Sequence, residues 1–177
     1  MSLNEYFFSY KEEIELSQAQ NRVECDLYSL IAYIIRDSKQ ASNISLRDVS
    51  VRRTSDLSKR FRSKVGFPDF IIMKREKSRD AAILGAIEAK YITENLDSEK
   101  HMKQLGAHIK SYNKVIYTNG IIWRFYNSKE SISKPVWEVS LGEVKNKDEI
   151  IWHEDKRWNE LINEIDNVNW EEEIVNR

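Results

Sequence analysis

Gly66-Phe67-Pro68-Asp69-Phe70-Ile71-Ile72 and Leu84-Gly85-Ala86-Ile87-Glu88-Ala89-Lys90-Tyr91 are two short apolar runs, and their reading decides the fold. Both have the length and composition of buried strands. Each also carries charge where a buried strand should have none. Successive side chains of a strand point to opposite faces, so Glu88 and Lys90 share one face while Ile87, Ala89 and Tyr91 take the other. Burying an acid and an amine is costly unless they are paired or bind something. The polar stretch from Lys74 to Asp80 reads as a hairpin turn, with strands over 67–73 and 81–91. Asp69 opens the first strand and Glu88 closes the second, so antiparallel pairing sets the two carboxylates side by side. Two acids converging on one point repel. A divalent cation would remove that repulsion, and the neighbouring Lys90 could hold or polarise a water.

Pro68-Asp69 followed by Glu88-Ala89-Lys90 resembles the PD-(D/E)xK nuclease superfamily, which shares the restriction-endonuclease-like fold. A chain rich in Asp, Glu and Lys produces this pattern readily by chance, and the apolar context of both halves is what makes it specific. A second match lies further on. Val115-Ile116-Tyr117-Thr118-Asn119-Gly120, then Trp123-Arg124-Phe125-Tyr126, resembles a hairpin of the N-terminal nuclease domain of type I restriction enzyme R subunits. The likeness spans Glu24 to Tyr126. It implies an α/β fold, with a restriction-endonuclease-like α/β/α core and a central mixed β-sheet flanked by helices. It also implies Mg²⁺ or Mn²⁺ bound by Asp69, Glu88 and the Ala89 carbonyl, with Lys90 orienting the attacking water. Glu24 would support a second metal or a water, and Gln104 would steady Lys90 or a phosphate oxygen. The implied reaction is phosphodiester hydrolysis, in DNA, in a restriction, defence or mobile-element setting. The family's Gln-x-x-x-Tyr helix is altered here: His108 stands four residues after Gln104, and Tyr112 comes a turn later.

Around these runs, Tyr6, Phe7, Tyr10, Ile14 and Leu16 predict an N-terminal helix. Val23, Leu27, Leu30, Ile31, Ile34 and Ile35 predict a second. Glu24 is either an ordinary exposed glutamate of that helix or an acid aimed at the site. Cys25 in the same stretch reads as a small core residue. Asp48 to Arg53 alternates and predicts the first strand. Thr54 to Lys64 reads as a basic loop or short helix. Arg52, Arg53, Lys59, Arg60, Arg62 and Lys64 would contact nucleic-acid phosphates there, or the segment is simply solvated. His101 to Tyr112 predicts an amphipathic helix with Met102, Leu105, Ile109 and Tyr112 on its core stripe. Asn119-Gly120 predicts a hairpin between Lys114–Thr118 and Ile121–Tyr126, whose aromatics belong in the core. Val136 to Leu141 predicts a further strand, and Ile150 to Ile165 a closing helix.

The 177 residues suit a single domain, with a core over about 20–126 and a C-terminal strand and helix over 134–177. The formal net charge is −1, but it is unevenly spread. Bases dominate from Arg47 to Lys64 and acids from Asp148 onward, which hints at an anionic partner near the middle of the chain. One cysteine excludes an internal disulfide and a cysteine-based zinc site. No secretory signal and no long apolar span is seen, so a soluble cytoplasmic protein is expected. There is no phosphate-binding Gly-Lys-Ser loop, no Gly-x-Ser-x-Gly elbow and no His-Glu-x-x-His. Any helicase motor would therefore come from a partner, and a homodimer is the other assembly considered. The rival readings are a catalytically inactive module of the same fold that binds DNA or protein, and a regulatory subunit that docks through its acidic end.

Overall fold

The computed structural model describes residues 3–51, 56–146 and 149–171. Six strands form one mixed sheet in sequential order: β1 (Ile44–Asp48), β2 (Phe70–Lys74), β3 (Ile83–Ala89), β4 (Lys114–Thr118), β5 (Ile122–Asn127) and β6 (Trp137–Ser140). All neighbours are antiparallel except β3 and β4. A parallel pair needs a crossover, and helix α3 (Glu99–Tyr112) supplies it. The Ser98 hydroxyl caps the start of α3, and Asn113, at φ 63°, stops it.

The period of two along β2 and β3 builds two cores. Phe70, Ile72, Ile87 and Ala89 face helices α1 (Leu3–Gln20), α2 (Leu27–Asp37) and α4 (Lys156–Asp166), meeting Phe7, Ile31, Ile35 and Trp158. Ile71, Ala86, Val115 and Tyr117 face α3 through Leu105 and Ile109. The result is an α/β/α arrangement, a central mixed sheet flanked by helices, consistent with the restriction-endonuclease-like fold. Trp123 and Phe125 are buried in the core, as their alternation predicted. The Asn119-Gly120 hairpin also forms. Gly120 adopts φ 84°, and its carbonyl accepts from the Tyr10 hydroxyl at 2.5 Å.

Several boundaries differ from expectation. The first strand is Ile44–Asp48 rather than Asp48–Arg53, and Arg52 and Arg53 lie outside the described residues. Ile44-Ser45-Leu46-Arg47 alternates as well as the predicted segment does, and the backbone of β2 selects it. The second helix starts only at Leu27. A 3-10 turn, Glu24–Asp26, precedes it and leaves Cys25 exposed rather than in the core. Val23 and Leu16 are exposed too. Ile150 to Ile165 is not one helix. A ribbon of β7 (Gly142–Asn146) and β8 (Glu149–Trp152) comes first, and α4 begins at Lys156.

Trp170 closes the sheet. The Lys114 ammonium donates to the carbonyls of Asn169 at 2.5 Å and Trp170 at 3.2 Å, which pins this segment against β3. A Cβ at Gly85 would stand 2.6 Å from the Trp170 ring and 2.7 Å from the Lys114 carbonyl oxygen. The carbonyl belongs to the sheet and cannot yield. Gly85→Ala is therefore expected to cost about 1–3 kcal/mol in urea unfolding.

Candidate active site

The β2–β3 register pairs Phe70 with Ile87, so Asp69, immediately before β2, lies opposite Glu88. The Ala89 N–H donates to Asp69 Oδ2 at 2.7 Å. The hydroxyl of Tyr28, on α2, donates to Asp69 Oδ1, and it lies 3.3 Å from Glu24 Oε1. Glu24 thus joins the site from the 3-10 turn, through a tyrosine that the sequence reading missed. Glu24 and Tyr28 are four residues apart, a spacing that could have revealed it.

Glu88 and Lys90 share the α3 side of the sheet, and both are buried. Lys90 Nζ donates to Glu88 Oε1 at 2.5 Å and to the Ala89 carbonyl at 2.9 Å. Gln104, on α3, donates to the same Glu88 oxygen at 2.6 Å. His108, one turn on, is fully buried and stacks on Tyr112. Its Nε2 lies 3.3 Å from Glu88 Oε2, within ion-pair distance. The contact lacks hydrogen-bond geometry: Glu88 Oε2 and both ring nitrogens of His108 are buried without a hydrogen-bond partner. The structure therefore brings Glu24, Asp69, Glu88, Ala89, Lys90 and Gln104 to one end of β2 and β3.

The basic segment is less uniform. Arg60 donates to the carbonyls of Arg79, at 2.6 Å, and Ala81, so its guanidinium clamps the β2–β3 turn. Lys59 pairs with Asp56 at 2.8 Å. Arg62 and Lys64 are exposed.

Electrostatics follow from this crowding. Burial, and then the Glu88 charge, push the Asp69 carboxyl up from its ordinary value to about 7, against the hydrogen bonds from Tyr28 and Ala89. Burial likewise raises Glu24, with the Lys90 charge opposing it. Burial and Asp69 raise the Tyr28 phenol, which keeps it a proton donor. Among the described residues, no group of three or more His, Cys, Asp or Glu side chains could hold a metal ion. Oxygen donors are nevertheless present: Asp69 and Glu88, and between them the Ala89 carbonyl. Glu88 Oε2 accepts no hydrogen bond and Asp69 is raised, and a cation relieves both, so this donor set fits a hard divalent ion.

The chain is similar in fold to a chain of the DrdV–DNA complex solved by cryo-electron microscopy. The TM-score is 0.58 at 13% identity, covering 95% of this chain and 14% of that one. This chain thus spans about one seventh of that neighbour's length. No protein-family model and no curated protein matches the sequence. Among the described residues, no helix is long and apolar enough to cross a membrane.

Without metal, the folded protein holds the Asp69 proton more tightly than the unfolded chain does, about 7 against 3.8. The Asp69 contribution to stability is therefore complete below pH 4 and is lost as pH rises through 7. In EDTA, Asp69→Asn should raise stability by about 1–3 kcal/mol at pH 8, where it removes a buried charge. The gain should shrink toward pH 4. Thermal melts from pH 4 to 8 measure it, and a gain independent of pH would contradict the assignment.

Proposed function

We propose that this protein is a metal-dependent nuclease that hydrolyses phosphodiester bonds in DNA, of the PD-(D/E)xK type and akin to the nuclease domain of type I restriction R subunits. One observation carries the reading. Two buried carboxylates and a lysine converge at the ends of adjacent strands, with one carboxylate oxygen accepting no hydrogen bond. The DNA in the DrdV complex supports the choice of substrate. The type I likeness rests on the Thr118-Asn119-Gly120 hairpin and its aromatic return strand.

Asp69, Glu88 and the Ala89 carbonyl would hold Mg²⁺ or Mn²⁺, with Glu24 reaching a second ion or a water. An ion held there would supply positive charge opposite the scissile phosphate and make a water a better nucleophile. The residues of the chain do the positioning. Tyr28 and the Ala89 N–H fix both oxygens of Asp69. Gln104 fixes Glu88 from α3. Lys90 has a flexible stem and three donors, and its ammonium can exchange the Ala89 carbonyl for a water and stabilise the leaving charge. Exposed Lys59, Arg62 and Lys64 would supply phosphate contacts that position without reading sequence.

Asp69→Ala, Glu88→Ala and Lys90→Ala should each lower cleavage of plasmid DNA in Mn²⁺ by at least about 100-fold with the fold retained. Circular dichroism checks the fold and gel assays the cleavage. Full activity in any of the three would refute the assignment. A second reading has its own observation: the short Lys90–Glu88 contact is also what an inert buried ion pair looks like. Titration calorimetry separates the two, because an inert pair binds no Mn²⁺ and its Glu88→Ala variant loses stability in EDTA.

A further inference from the structure

A groove of about 660 Å³ runs along the free edge of the sheet, away from the carboxylates. It is lined by β1, by the end of α2 and by the turn after β2, and it gathers Arg36, Arg47, Arg75 and Lys77 against a single lining acid, Glu76. All four cations are exposed. Arg75 is anchored by one nitrogen to the Ala41 carbonyl at 2.7 Å, which aims it into the groove wall. Glu76 is engaged by Lys74 at 3.9 Å. Arg36, Arg47 and Lys77 make no ion pair with any described residue, and Arg47 donates only to the Leu46 carbonyl at 2.8 Å. Like charges left together without acids repel one another, and an anion removes that repulsion.

We infer that this groove carries the sugar–phosphate backbone of the nucleic acid beyond the cleavage site. The inference rests on the nuclease reading. Geometry sets the reach. Arg47 pairs with Ile71, two residues from Asp69, and Arg75 follows the last residue of β2. At about 3.3 Å per strand residue these positions lie about 7 and 20 Å from Asp69 along the strand. With one phosphate per about 3.4 Å of each duplex strand, the groove meets phosphates about two to six base pairs from the scissile bond. None of the four side chains belongs to the carboxylate cluster, so they add affinity and direction and leave the chemistry alone.

The test is fluorescence anisotropy with a labelled 30-base-pair duplex in EDTA, over a range of salt. Wild-type protein is compared with Arg36→Gln/Arg47→Gln/Lys77→Gln. A control, Lys110→Gln/Lys134→Gln/Lys145→Gln, removes the same charge from exposed positions elsewhere. Arg75 is kept because it braces the backbone. The groove variant should bind at least about tenfold more weakly at 0.15 M salt, and its log K against log salt slope should flatten by about 2 to 3. Its melting temperature and its calorimetric Mn²⁺ affinity should match wild type. Unchanged affinity and slope would overturn the inference, as would an equal loss in the control or no duplex binding by the wild type. The parent reading fails separately, through absent Mn²⁺ binding or undiminished cleavage by Glu88→Ala.

Discussion

The hydrogen bond from the Ala89 N–H to Asp69 Oδ2 spans the two central strands at their charged ends, and the rest of the site depends on it. The backbone ladder of β2 and β3 sets the register there, and a slip of one residue would send Glu88 to the opposite layer and bring Ile87 under α3. With the register held, α3 meets Glu88 through Gln104 and His108, and α2 meets Asp69 through Tyr28. Each layer thereby supports one carboxylate. The sheet supplies the acids and the helices fix their orientation.

This division explains the charge balance. Half-buried Glu24 and buried Asp69, Glu88 and Lys90 crowd one end of the strands, and the helices contribute a phenol, an amide and the His108 ring. Neutral donors orient a carboxylate without cancelling its charge, so burial first and then the Glu88 charge still raise Asp69.

Much of this was legible in the sequence, for a physical reason. Charges inside apolar runs conflict with burial, and the conflict marks Asp69, Glu88 and Lys90 without reference to the rest of the chain. The strand pair, the α3 stripe and the Asn119-Gly120 hairpin are local patterns and were readable as such. The first strand was not. Ile44-Ser45-Leu46-Arg47 and Val49-Ser50-Val51-Arg52 alternate alike, and only pairing with β2 distinguishes them. Cys25 and Val23 continued an apolar run, but the helix begins after them, so their neighbours in sequence misled. Ile150-Ile151-Trp152 suits a helix or a strand, and its pairing with β7 is again a tertiary fact. Tyr28 was missed because its role depends on Asp69, 41 residues away.

A likeness in fold at 13% identity says how the layers stack and leaves the chemistry to the residues. Topology puts the ends of β2 and β3 at one edge of a central sheet, where any side chains would converge. The sequence puts Asp69, Glu88 and Lys90 there, and those residue types would be a liability in a mere scaffold. Substituting apolar residues of similar volume would relieve the burial penalty and leave the sheet register intact. That the chain instead holds a carboxylate oxygen under α3 with no hydrogen bond to it, and Gln104 and Tyr28 aligned on the acids, is the feature that stability alone does not explain.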